Sequence, residues 1–318
     1  MKTQILKKFP SLQAIHASEH TIMAVLAVIV GLAAGFGAVG FRYLINFFQI
    51  LAYGGENDLL ELVVNLPWYY RVAVPAIGGL IVGPLVYFFA REAKGHGVPE
   101  VMEAVALKGG VIRKRVVVVK SLASAISIST GGSVGREGPI VQIGSAIGSV
   151  LGQFMKVSAD RMRTLVGCGA AAGIAATFNA PIAGSMFALE VILGDFGLAT
   201  FSPIVISSVA ATAVSRAFLG DTPAFIVPVY ELVSAWELPM YLILGIFCAV
   251  VGVIFTKTLY RIEDLFDGIK FPEYLKGIIG GLILGVASLI FPQILGVGYG
   301  AIDMALMQQM TWWLLLLL

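Results

Sequence analysis

The chain has 318 residues, of which 58% are hydrophobic and only 13% are charged, against roughly 25% charged in an ordinary soluble domain. Its 21 Lys+Arg and 19 Asp+Glu leave a formal charge of +2, so the composition excludes a disordered chain and a nucleic-acid-binding protein. A mean hydropathy of +0.92 and repeated apolar runs of about 18 residues or more predict an all-α, polytopic membrane protein of tilted and broken helices.

The N-terminal segment, residues 1–20, is basic and then polar. It lacks the short apolar core and small-residue cleavage site of a signal peptide, so we expect it to stay on the chain. Because Lys2, Lys7 and Lys8 fit the positive-inside rule, we expect this segment to lie in the cytoplasm.

Two long apolar runs follow. The first, residues 21–51, contains one charge, Arg42, and at ~1.5 Å per residue it exceeds a ~30 Å hydrocarbon core. The second, residues 68–90, is interrupted by Pro75 and Pro84. Basic residues then crowd residues 91–120, which predicts a solvated loop on the same, cytoplasmic side as the N-terminus.

After residue 120 the apolar stretches become shorter and rich in small residues: 121–135, 139–154, 164–180, 181–193 and 201–219. Few of them are long enough to cross a bilayer alone. Glycines recur every four residues in two places, a spacing that lets helices pack closely in lipid. These glycines are Gly144, Gly148, Gly152, Gly277, Gly281 and Gly285.

Two further spans are predicted at residues 238–260 and 274–291, separated by a charged loop at 261–273. Another apolar run begins near Ala301, and the chain ends in WWLLLLL. We therefore interpret residues 21–318 as one transmembrane domain that is incomplete at its C-terminal end. Cys168 and Cys248 lie in apolar runs without a C-x-x-C or His-rich neighbour, which favours small buried side chains over a disulfide or metal site.

Three breaks in the apolar stretches share one form, a short irregular entry followed by Pro at the expected first helical position. They are GHGVP at 95–99, GREGP at 135–139 and FNAP at 178–181. A helix start leaves about four N–H groups unpaired and carries roughly half a positive charge, so it attracts anions. Candidate anion-binding residues are Gly95, His96, Gly97, Val98, Pro99, Gly135, Arg136, Gly138 and Pro139.

Glu137 is the most informative of these positions, because a carboxylate inside an apolar stretch is costly unless it is paired or functional. At a helix start it can occupy the anion site as a tethered competitor, and its protonation would free the site. The sequence therefore predicts that Glu137 is a gate. A static pair with Arg136 is the structural alternative, which we disfavour because adjacent side chains on extended backbone point apart.

These motifs resemble the CLC family of chloride channels and proton-coupled chloride exchangers. The matching segments are GREGP at 135–139, VQIG at 141–144, GAAAGIAATFNAPIAG at 169–184 and GHGVPE at 95–100. The resemblance runs in order from about residue 20 to 310. It implies an inverted-repeat architecture, a homodimer with one pore per subunit, anions bound at helix N-termini and a gating glutamate at Glu137.

Three departures from the family pattern matter. His96 stands where members usually have a serine that coordinates the central anion. Val191 follows Glu190 where proton-coupled exchangers commonly carry a second glutamate as a proton relay, so the relay is expected to be absent unless Glu190 serves. The chain also ends before the family's later G-x-F-x-P motif and pore tyrosine.

A serine hydrolase is an alternative from a different class of function. Residues 131–135 match G-x-S-x-G, the spacing that presents a nucleophilic serine, which would be Ser133 in an intramembrane serine hydrolase. The weak point is the base, since His16, His20 and His96 are the only histidines and no companion motif places His96 beside Ser133. The G-x-x-x-x-G-K-[ST] pattern of a nucleotide-binding loop is absent.

The sequence thus predicts passive, channel-like movement of chloride or a similar monovalent anion through a pore gated by Glu137. A proton-coupled chloride exchanger is the alternative, and a carrier for another small anion is a third. We expect no enzymatic activity, no metal and no cofactor other than chloride as the transported ion. The expected partners are the lipid bilayer of a plasma (inner) membrane and a second copy of the chain, with no nucleic acid.

Overall fold

The structure, a computed structural model, describes residues 19–318 except residues 57, 226, 229, 230 and 233. Predictions about residues 1–18 therefore lie outside the described residues. The regular structure across the described ranges is helical throughout, without strands, as the sequence predicted. The α-helices are α1 Glu19–Tyr53, α2 Leu59–Val64, α3 Trp68–Phe89, α4 Val98–Leu107, α5 Arg115–Ser129, α6 Glu137–Met155, α7 Ala159–Phe178, α8 Pro181–Phe187, α9 Leu198–Leu219, α10 Glu237–Gly268, α11 Lys276–Ala287, α12 Tyr299–Leu306 and α13 Trp312–Leu317.

Shorter turns connect these helices. Three are 3₁₀ segments and one is a π-helical continuation of α8, a form that marks a locally widened helix. They are Arg91–Ala93, Glu273–Leu275, Pro292–Ile294 and the π segment Ala188–Leu193.

Four of the described helices are long and apolar enough to cross a membrane: His20–Tyr53 in α1, then α3, α9 and α10. Helix α1 has 35 residues and at ~1.5 Å per residue is about 50 Å long, so it must tilt or project beyond a ~30 Å hydrocarbon core. Helix α3 retains Pro75 and Pro84 in its interior. Both long N-terminal spans therefore lie where the sequence predicted them.

Two predicted boundaries were wrong. The charged loop expected from residue 261 begins later, because α10 continues to Gly268 and has 32 residues. Glu263 and Asp267 are four residues apart on this helical extension and hence share one face, where Asp267 pairs with Lys94 and Glu263 lies 3.8 Å from the His96 ring. The span expected at 274–291 is shorter, since α11 has only 12 residues and ends before Pro292, which begins a 3₁₀ turn.

The prolines of the three breaks also differ in position. Pro181 is the first residue of α8, as predicted, but α4 begins at Val98 and α6 at Glu137, so Pro99 is second and Pro139 third. Proline fits throughout a first helical turn because those N–H groups have no intrahelical partner. Helices α4 and α6 therefore begin one and two residues before the predicted first position, respectively.

Helix α7 forms the centre of the core and packs against α1, α6 and α9. The residues of α7 from Thr164 to Ala176 are all buried, including Cys168, in agreement with the sequence prediction for that cysteine. Cys248 is exposed, contrary to the prediction, because α10 buries none of its residues in the described structure.

Both glycine repeats are explained by helix packing. A Cβ on Gly144 would overlap the carbonyl of Gly169 on α7, and a Cβ on Gly148 would overlap the carbonyl of Leu165. On α11, Gly277 and Gly281 make the same kind of backbone contact with Gly79 and Pro75 of α3. Close approach through glycine is how helices associate where lipid supplies little hydrophobic drive.

Candidate functional site

The two glycine-rich helix starts meet backbone to backbone. A Cβ on Gly97 would overlap the carbonyl of Gly138, and a Cβ on Gly138 would overlap the carbonyl of His96. Gly95 and Gly97 also have positive φ values of 105° and 98°, which side chains with a Cβ rarely adopt. The glycines are therefore required for the loop before α4 to lie against the start of α6.

A cavity of about 1050 Å³ lies beside this junction. Its walls come from α3, α5, the first turn of α6, α10, α11 and the two loops. Of the predicted site residues, six line it: Gly95, His96, Gly135, Glu137, Gly138 and Pro139. Gly97, Val98 and Pro99 do not, and Arg136 lines a much smaller pocket that it shares with Arg42.

The start of α4 is already capped by Glu100, a residue of the first turn of the same helix. The N–H of Gly97 donates to the Glu100 carboxylate, with 2.6 Å between N and Oε2. A carboxylate three residues into a helix commonly satisfies an unpaired N–H of the first turn in this way. The Gly97 N–H, which the sequence predicts to bind an anion, therefore already has a hydrogen-bond acceptor in this conformation.

Glu137 is the first residue of α6, and its carboxylate turns back over Gly135, where a Cβ would overlap Oε2. Its other oxygen, Oε1, accepts a hydrogen bond from the Tyr299 hydroxyl at 2.7 Å. The same hydroxyl accepts from Arg136 Nε at 3.1 Å, so the two neighbouring charges are linked through Tyr299. Tyr299 was not among the residues predicted from the sequence, although three glycines at 296, 298 and 300 indicate an unusual backbone there.

His96 faces carboxylates from α10. Its Nε2 lies 3.8 Å from Glu263 Oε2, and its ring contacts that of Tyr260 edge to face. Beside it, Lys94 Nζ lies 3.0 Å from Asp267 and 3.4 Å from Glu273. This end of the cavity therefore carries paired charges that are about half exposed, and such pairs contribute little to stability.

Lys120 is only 4% exposed. Its ammonium donates to the carbonyl oxygens of Ala93 at 3.0 Å and Gly95 at 2.8 Å. It therefore fixes the loop before α4 and brings a positive charge to the cavity wall. The prediction of a solvated basic cluster is wrong for this residue.

Glu190 and Val191 lie in the π-helical segment that continues α8. Glu190 is exposed, Val191 is partly buried, and the cavity wall contains neither of them. The position expected for a cytoplasmic proton relay is thus held by a side chain that cannot carry a proton, and its acidic neighbour Glu190 lies outside the cavity wall.

Ser133 also lines the cavity, in the loop between α5 and α6. Among the described residues, no hydrogen bond joins its hydroxyl to the His96 ring, which instead faces Glu263 and Tyr260. The geometry of an activated serine nucleophile, a base within hydrogen-bond reach of the hydroxyl, is therefore not formed there.

The chain is similar to known proteins over most of its length. The sequence model of a family described as the voltage gated chloride channel matches residues 78–318. A ClcB-like chloride channel protein of Ralstonia nicotianae is 35% identical over 285 residues. That alignment covers 88% of this chain and 66% of the relative, so the chain spans about two thirds of that protein's length.

Two solved structures share the fold. A slow cyanobacterial Cl⁻/H⁺ antiporter superposes with a TM-score of 0.77 at 27% identity, over 89% of this chain and 67% of the antiporter. A CLC-type fluoride/proton antiporter superposes with a TM-score of 0.78 at 23% identity, over 94% of this chain and 74% of that protein. At 23% identity, the similarity to the fluoride/proton antiporter is evidence of a shared fold and of nothing more.

Proposed function

Since the chain belongs to the voltage gated chloride channel family, the CLC family, we propose that it moves chloride or a similar monovalent anion passively across a membrane. Glu137 is the proposed gate. Six of the residues predicted from the sequence line one cavity, and the Glu137 carboxylate stands at the N-terminal end of α6 within it. That placement is the observation that carries the proposal.

The electrostatics of this position support a gate. The start of a 19-residue helix carries roughly half a positive charge and unpaired N–H groups, which favour any anion there. The Glu137 carboxylate and a transported anion compete for the same end of the helix. Protonation removes the negative charge of the carboxylate and leaves the site to the ion.

We propose channel-like conduction over proton-coupled exchange. The support is Val191, because a proton cannot cross an apolar region without groups to carry it. The exchanger remains the second candidate, since the cyanobacterial structure of the same fold is that of a Cl⁻/H⁺ antiporter. We further propose that the protein acts as a homodimer in a plasma (inner) membrane with its N-terminus in the cytoplasm.

The test is chloride efflux from liposomes. The purified protein is reconstituted into liposomes that contain KCl, and these are diluted into a chloride-poor buffer. Valinomycin is added so that potassium movement dissipates the membrane potential that would otherwise oppose chloride efflux. A chloride electrode records the efflux. Efflux above that of protein-free liposomes, increasing as the external pH falls, is the expected result. Efflux no greater than in protein-free liposomes across the pH range would contradict the proposal.

A further inference from the structure

Tyr299 connects three separate parts of the chain. It belongs to the first turn of α12, its hydroxyl contacts the two residues at the start of α6, and its ring meets that of Phe225 edge to face at 4.9 Å. The Arg136 guanidinium also lies over this ring, 4.6 Å from its centre. The side chain is therefore held on its ring and at its hydroxyl.

The two hydrogen bonds of the hydroxyl have a fixed direction. Arg136 Nε has only a hydrogen to give, so the Tyr299 oxygen must accept from it. The one hydroxyl proton is then free to point at Glu137 Oε1, 2.7 Å away. A bond to a carboxylate is about twice as strong as one to a neutral acceptor, so protonation of Glu137 weakens this bond.

The backbone that presents Tyr299 is anchored as well. Gly298, just before it, has a φ of 82°, and Gly296 has a φ of 73°. The N–H of Gly296 donates to the carbonyl of Gly131 at 3.1 Å, in the loop that leads to α6. The backbone just before the tyrosine is thus hydrogen-bonded to the loop that leads to Glu137, the residue that the tyrosine hydroxyl binds.

Other charges reach this group from neighbouring elements. Arg42 of α1 is close enough to interact electrostatically with both Arg136 and Tyr299, and these two arginines share a small pocket. On the cavity side, His96, Lys120 and Glu263 line the same walls as Glu137. Tyr299 thus lies between the Glu137 carboxylate, to which its hydroxyl donates, and the Arg136 guanidinium, from which the same hydroxyl accepts.

From these contacts we infer that Tyr299 is the latch of the Glu137 gate: its hydroxyl holds the charged carboxylate in the closed position and releases it on protonation. This inference rests on the proposed function. Tyr299 acts through Glu137 and is therefore a positioning residue.

The experiment uses Tyr299→Phe, which removes the hydroxyl but keeps the ring that contacts Arg136 and Phe225. Chloride efflux is measured against external pH for the parent and the variant. We expect about tenfold more efflux at pH 7.5, the order expected for loss of a hydrogen bond to a charged group, and a half-maximal pH shifted upward. An unchanged pH profile, or reduced efflux at pH 7.5, would overturn the latch.

Tyr70→Phe is the matched control. Its hydroxyl donates to the Ala52 carbonyl at 2.9 Å, and the residue is not in the cavity wall. Its pH profile should match that of the parent. A shift equal to that of Tyr299→Phe would show that any lost tyrosine hydroxyl has this effect, and would also overturn the inference.

A second measurement separates the latch from the proposed function. Melting temperatures are compared for Tyr299→Phe, Glu137→Gln and the double variant, at neutral and acidic pH. The double variant should lose less than the sum of the single losses at neutral pH, and this coupling should shrink in acid. Additive losses at neutral pH would overturn the latch, whether or not the parent carries chloride.

Discussion

The Glu100 carboxylate accepts the N–H of Gly97 at 2.6 Å, so one of the two adjoining helix starts is filled by a fixed cap of the chain itself. At the other start the carboxylate of Glu137 is bound to a tyrosine from a distant segment. The Gly97 cap comes from the first turn of the same helix, whereas Glu137 is bound by a residue 162 positions away in the sequence. This asymmetry supports the proposal that α6, and not α4, is the helix start at which an anion displaces the protein's own charge.

The first prediction is that Glu137→Gln removes the pH dependence of transport. Glutamine keeps the shape of the side chain but has no charge to compete with the anion, so efflux at neutral pH should rise to the level that the parent reaches in acid. Chloride efflux against external pH is the measurement. Glu190→Gln, which changes an exposed acid outside the cavity wall, is the control. If Glu137→Gln keeps the parental dependence, the gate lies elsewhere.

The second prediction concerns His96. A neutral imidazole can donate one hydrogen bond to an anion, and a protonated one adds a charge to the cavity. We expect anion affinity to rise at acidic internal pH and His96→Ser to abolish the rise. Glu263, 3.8 Å from the ring, competes for the imidazolium, so Glu263→Gln should enlarge the rise. Equal binding profiles for the parent and His96→Ser would mean that the ring does not contact the ion.

The third prediction separates a channel from an exchanger. With Val191 at the relay position and Glu190 outside the cavity wall, an imposed chloride gradient should drive no uphill proton movement in proteoliposomes. A pH electrode outside the vesicles records it, with an uncoupler added at the end to report any proton gradient that has formed. Stoichiometric proton movement against the proton gradient would contradict the prediction and identify the protein as a proton-coupled exchanger.

The fourth prediction concerns stability. Gly144→Ala places a methyl group against the Gly169 carbonyl of α7, and such overpacking typically costs about 1–3 kcal/mol. The midpoint of thermal unfolding in detergent should fall. Gly245→Ala on α10 meets nothing within 4 Å and should be neutral or gain up to about 1 kcal/mol from helix propensity. Equal behaviour of the two variants would contradict the packing explanation.

Features governed by local pattern could be predicted from the sequence. Helices α1 and α3 follow from continuous apolar runs, and the starts of α4 and α6 follow from glycine and proline at fixed offsets. The predicted end of α10 was wrong because a run of charged residues is typical of a loop when the residues that pair with them are unknown. Glu263 and Asp267 stay helical while their carboxylates pair with His96 and Lys94, more than 160 positions earlier in the sequence.

The candidate site shows the same division. Glu137 could be found because a carboxylate in an apolar stretch is conspicuous by itself. Tyr299 lies 162 positions from Glu137, and Lys120 reaches back 25 positions to the Gly95 carbonyl. Neither contact leaves a periodic trace in the sequence, because each depends on how separate helices are placed in space.

The contact between Gly144 and Gly169 is reciprocal, since a Cβ on either residue would overlap the carbonyl of the other. Most packing contacts can be repaired during evolution when one side chain grows and its neighbour shrinks. Here both partners are already the smallest residue, so no substitution at one position can compensate a change at the other. A larger residue at either position therefore can be accommodated only by a shift of the helix backbones, at a cost in stability.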